Sequence, residues 1–96
     1  MKLDEYYKMY LTLHQNTTNR RLHVIGQIAT IFFILLMIIS QNYLMLIFAP
    51  FIVYPFAWTG HFFFEKNKPA AFSDPIKAKI SDFLMFKDIL TGKIKW

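Results

Sequence analysis

Residues 22–64 read LHVIGQIATIFFILLMIISQNYLMLIFAPFIVYPFAWTGHFFF, and not one of them carries a formal charge. The stretch divides at Ser40-Gln41-Asn42. Before it, Leu22 to Ile39 is interrupted only by His23, Gln27 and Thr30. At about 1.5 Å per residue this half makes a helix of about 27 Å, and Tyr43 to Phe64 makes one of about 33 Å. Both lengths suit a hydrocarbon core of about 30 Å. The chain has 96 residues, 55% of them apolar and 19% aromatic. A soluble domain of that size has too little interior to hide two all-round apolar helices. The expectation is an all-α membrane protein built on a two-span transmembrane helical hairpin, one membrane domain over residues 1–96.

Charge sets the expected orientation. All 11 Lys and Arg lie before Leu22 or after Phe64, and none lies in the turn. A hairpin puts both ends on one side, and the positive-inside rule makes that side cytoplasmic. The net charge of +5 then suits anionic lipid head groups. A nucleic-acid partner is not expected, because no basic face with interleaved stacking aromatics stands apart from the apolar runs. No cysteine is present, which excludes a disulfide framework and a thiolate metal site.

Around the spans, 20–39 and 43–66, the pattern places two amphipathic interfacial helices. The first covers 2–14, where Leu3, Tyr7, Tyr10 and His14 share a face and Asp4 and Glu5 suit the first turn. The second covers 75–91. Asp74 followed by Pro75 is a helix start, Gly92 is a stop, and Ile76, Ile80, Phe83, Leu84 and Leu90 fall opposite Lys77, Ser81 and Asp88. Thr18 or Asn19 is the expected cap of the first span. Pro50 and Pro55 each remove a backbone donor inside the second span.

The three histidines fall at one depth in this arrangement. His14 ends the first interfacial helix, His23 begins the first span, and His61 lies near the cytoplasmic end of the second. Glu65 follows His61 by four residues and shares its helical face. Neutral imidazole is a common ligand for iron, zinc and copper, and histidines joined by a carboxylate hold non-haem iron and hydrolytic zinc. Two readings of the residues stay open: a metal site, or histidines that sit at an interface as tyrosines do. Arg20 and Arg21 likewise fit either an anionic ligand or the ordinary basic flank of a span.

The residues LHQNTTNRRLHVIG, giving His14, Asn19, His23 and Gly26, and AWTGHFFFEKNKPAAFSDP, giving Gly60-His61, Glu65, Asn67 and Pro69-Ala70, resemble the membrane family of the yeast-type 2-hydroxy fatty acid dioxygenase. The chain looks like a short, single-hairpin, bacterial-type member. The resemblance implies an Fe(II)-dependent oxidoreductase of fatty acid alpha-oxidation that shortens a 2-hydroxy fatty acid by one carbon with O2. His14, His23 and His61 match the motif histidines and are the expected metal ligands, for iron or else zinc. Asn19 and Glu65 match its other polar positions and are the expected catalytic residues. Arg20, Arg21 and Lys66 are the expected partners of a fatty-acid carboxylate. Three histidines are few for one site, and proline-freed carbonyls have few partners, so a homo-oligomer is expected. The competing reading is a small non-enzymatic hairpin that oligomerises or assists a larger membrane complex. A channel is disfavoured, since no charge lies mid-span.

Overall fold

The computed structural model describes residues 2–96, the side chain of Ala71 aside. The chain is all-α. Among the described residues it forms four helices: α1 (Leu3–Thr12), α2 (Thr17–Ile39), a composite third helix (Tyr43–Glu65) and α4 (Pro75–Leu90). A short 3-10 turn, Ala70–Phe72, precedes α4. α2 and the composite helix are each long and apolar enough to cross a membrane. They form the hairpin, joined by a turn in which Gln41 takes a left-handed φ of 62°.

α2 begins earlier than its sequence suggests. Asn16 is the N-cap, and its side chain accepts from the Asn19 N–H at 3.1 Å. Asn19 therefore sits within the first helical turn and its side chain is released from capping. α1 ends before His14 because side chains take its last carbonyls: His14 Nδ1 bonds Tyr10 O and Gln15 Nε2 bonds Leu11 O.

The composite helix changes pitch along its length. Tyr43–Phe51 winds as 3-10, Val53–Thr59 as α-helix (α3), and Gly60–Glu65 as π-helix. Pro50 cannot donate to a helical ladder, and the 3-10 segment contains it. The Pro50 carbonyl takes Lys79 Nζ from α4 at 2.9 Å. α2 and the composite helix approach closely over small residues, as membrane helices do. A Cβ on Gly26 would stand 2.9 Å from Val53 Cγ2, and one on Gly60 would overlap the Asn19 side chain.

α4 turns its apolar face outward and its polar stripe toward the rest of the chain. Ile76, Ile80, Phe83 and Leu90 are exposed, while Ser81, Asp82, Met85, Asp88 and Ile89 are buried. Its polar stripe faces the protein because α1 and α2 offer partners there. Tyr7 donates to Asp88 Oδ2 at 2.6 Å, and Gln27 Nε2 donates to Asp82 Oδ2 at 2.8 Å. The apolar core is small: Tyr6 and Tyr10 of α1, Val24 of α2, Ala70, and Ala78, Met85 and Ile89 of α4. It sits at the end of the hairpin where the histidines lie. The far end of the hairpin is apolar on the outside, with Phe32 at 68%, Ile39 at 79% and Leu44 at 86% exposure.

Candidate metal centre

Three elements bring one histidine each to a common point. His14 comes from the loop after α1, His23 from the second turn of α2, and His61 from the π-helical turn. All three are buried. One ring nitrogen from each lies within 4.8 Å of those of the others. The rings stand nearly perpendicular in pairs, at 80–89°, with centroids 4.5–5.1 Å apart. Tyr10 stacks on His14 at 3.9 Å and closes one side.

The hydrogen bonds fix the tautomers. His14 Nδ1 faces Tyr10 O at 2.7 Å, and His23 Nδ1 faces Asn19 O at 2.8 Å. A carbonyl oxygen only accepts, so each Nδ1 carries the proton. His61 Nδ1 faces Asn67 Oδ1 at 2.6 Å. The Asn67 amide is oriented by its own donation from Nδ2 to Leu13 O at 3.0 Å, which leaves Oδ1 as the acceptor for His61. Each imidazole therefore presents an unprotonated Nε2. His14 Nε2 and His23 Nε2 face each other at 3.3 Å. Two lone pairs cannot hydrogen-bond, so the contact is repulsive unless a positive group lies between them. About that separation is what two nitrogens adopt when both bind one cation at about 2.0–2.1 Å. The residues thus fit a divalent metal, each with its second nitrogen held by an acceptor. Burial, with His23 beside it, holds the His14 pKa down to about 2, so this imidazole is neutral and competent as a ligand.

Asn67 reaches His61 because of the turn that ends the π-helix. Lys66 takes a left-handed φ of 62°, and the Asn67 N–H bonds back to His61 O at 3.0 Å. Glu65 has a different set of partners. Its Oε1 accepts from the Asn16 N–H at 2.8 Å and from Asn19 Nδ2 at 3.1 Å. The carboxylate so ties the α1–α2 loop to the end of the composite helix, and Asn19 lies between it and His23. Arg20 is half-buried with Nε unpartnered. Arg21 is exposed, with its guanidinium 5.3 Å from the Trp96 ring. Lys66 is exposed.

Sequence reasoning passed over Asp82 as a site residue. It is 5% exposed and lines a cavity of about 30 Å3 together with Tyr10, His23, His61 and Lys79. The signal was present as the spacing of Ser81-Asp82, Met85 and Asp88-Ile89, a stripe that turns inward. Burial pushes the Asp82 carboxyl up from 3.8 to about 6, against the Gln27 hydrogen bond and the Lys79 charge. Its ionised form is thus less favourable in the folded chain than in the unfolded one. Asp82 favours folding most below about pH 4, loses that contribution as pH rises towards 6, and is flat beyond. Asp82→Asn abolishes this titration. The stability of the variant relative to the wild type, measured by denaturant titration of metal-free protein in detergent, rises between those limits; equal slopes contradict it.

The sequence matches, over residues 1–94, the family described as Mpo1-like, 2-hydroxy-palmitic acid dioxygenase Mpo1-like. Among curated proteins and among solved structures the chain has no match. The motif resemblance and the family match agree: the chain belongs to the Mpo1-like 2-hydroxy-palmitic acid dioxygenase family.

Proposed function

We propose that the protein is a membrane-embedded oxygenase that shortens 2-hydroxy fatty acids by one carbon with O2, with a single Fe(II) held by His14, His23 and His61. The carrying observation is the convergence of three buried histidines, with the Nε2 atoms of His14 and His23 3.3 Å apart. Family membership supplies the reaction class and the fatty-acid substrate. Fe(II) is preferred over zinc because the family reaction is an oxidation with O2. When bound, the metal supplies the coordination positions at which a chelating hydroxy acid and O2 meet.

The chain's own residues do the rest. Tyr10 O, Asn19 O and Asn67 Oδ1 fix the imidazole orientations and keep each Nε2 unprotonated. Glu65 and Asn19 act as positioning residues, because their hydrogen bonds hold the loop carrying His14 against the helices carrying His23 and His61. Arg20, Arg21 and Lys66 form a basic rim that draws an anionic lipid to this end of the hairpin. The outward apolar faces of the two long helices favour placement across a bilayer, with the histidines at head-group depth and the acyl chain in lipid.

Metal analysis of detergent-purified protein, reconstituted with Fe(II) without air, gives one metal per chain. Exposure to O2 with 2-hydroxyhexadecanoate then yields the acid one carbon shorter by mass spectrometry. His14→Ala, His23→Ala and His61→Ala each remove metal and product together. Asn67→Ala and Glu65→Gln weaken metal affinity by about 10- to 100-fold, the usual scale for groups that orient a ligand. A triple-alanine variant that retains wild-type metal content overturns the site.

The one-sided distribution of Lys and Arg supports a topology with both termini in the cytoplasm. Fusions at either end light only a reporter that works in the cytoplasm. Activity of an exported reporter at both ends overturns this topology.

A further inference from the structure

A 2-hydroxy acid presents a carboxylate, which calls for a cation, and a hydroxyl, which calls for an acceptor. Granted the function proposed above, a specific enzyme needs both beside its metal. Arg20, Arg21 and Lys66 do not border the cavity next to His23 and His61; Lys79 and Asp82 of α4 do. They are three residues apart on one helix and so share a face.

Each has unused hydrogen-bonding capacity. Asp82 Oδ2 accepts from Gln27 Nε2, but Asp82 Oδ1 is buried without a partner. Buried polar atoms are paired as a rule, and an orphan marks a place for a ligand or water. Lys79 is half-buried and donates to Pro50 O, with the Tyr54 ring 5.3 Å and the Phe83 ring 5.7 Å from Nζ. An ammonium has three N–H groups, so donors remain for an anion. The cavity, about 30 Å3, has room for roughly two waters, the scale of a small polar head and not of an acyl chain. Trp58 lines it and is 40% exposed, which marks the side open to the apolar exterior.

We propose that Lys79 and Asp82 read the substrate head: Lys79 Nζ binds the carboxylate, and Asp82 Oδ1 accepts the hydrogen bond of the 2-hydroxyl. The pair makes the site selective for 2-hydroxy acids over plain fatty acids and over esters. A merely structural role, with Lys79 tying α4 to Pro50, alters stability and leaves selectivity intact.

The test is equilibrium binding by calorimetry to the full chain in detergent, as purified and under argon so that nothing turns over. The probes are 2-hydroxyhexadecanoate, hexadecanoate and methyl 2-hydroxyhexadecanoate. Wild type prefers the first by about 10-fold or more over each of the others. Asp82→Asn keeps an acceptor for Gln27 and turns a donor toward the cavity; it loses the preference for the hydroxyl and keeps that for the acid. Lys79→Met loses the preference for the acid over the ester, and Lys79→Arg restores it. Metal content and melting temperature confirm that each variant is folded. Where Asp82→Asn does not fold, Gln27→Leu combined with Asp82→Leu removes both partners and carries the same prediction. Wild type and variants that discriminate alike overturn this assignment and leave the proposed function standing. Wild type that does not discriminate overturns the substrate reading and this assignment with it.

Discussion

Two unprotonated imidazole nitrogens facing each other at 3.3 Å in a buried site repel, and the surrounding structure is what holds them there. His14 and His23 each donate Nδ1–H to the carbonyl four residues before, so the helical backbone itself aims the rings. His61 lacks that arrangement. Its acceptor is the Asn67 side chain, brought underneath by the left-handed Lys66 and oriented by Leu13 O. Asn16, Asn19 and Glu65 join the loop carrying His14 to the helices carrying the other two. A cation at the centre would turn the repulsion into coordination and so couple metal binding to the integrity of this end of the fold.

The polar groups gather inside and the apolar ones outside. His14, Asn19, His23, Gln27, Thr30, His61, Ser81, Asp82 and Asp88 are buried, while many of the large aliphatic and aromatic residues of the long helices are exposed. In water such a surface is an aggregation hazard; in lipid it is the expected exterior. The interior polar groups answer one another through Gln27 to Asp82, Tyr7 to Asp88 and Thr30 to Gly26 O. Pitch changes in the composite helix serve the same end. Pro50 lies in a 3-10 segment whose carbonyl finds Lys79, and π turns are frequent where a helix carries a functional group.

Much of this is legible in the sequence. Uncharged run lengths gave the hairpin, and the depth of His14, His23 and His61 gave their meeting, because an antiparallel pair must bring the start of one helix beside the end of the other. Local signals erred where tertiary partners outvoted them. Thr18 and Asn19 are good caps in isolation, but Asn16 caps α2, and Asn19 is engaged with Glu65 instead. The amphipathic pattern of α4 was visible, but which face turns inward depends on Tyr7 and Gln27, more than fifty residues away in sequence. Asp82 and Lys79 escaped notice for that reason. Asn67 escaped as an orienting residue because its place under His61 follows from a left-handed turn that periodicity does not reveal.

X-ray absorption at the metal edge of Fe(II)-reconstituted or zinc-substituted protein tests the central claim most directly. The account predicts one metal per chain with three imidazole rings in its scattering, at about 2.0–2.1 Å for zinc, and fewer rings in His14→Ala, His23→Ala and His61→Ala. A metal without imidazole scattering, or one whose spectrum is unchanged when all three histidines are replaced, contradicts it.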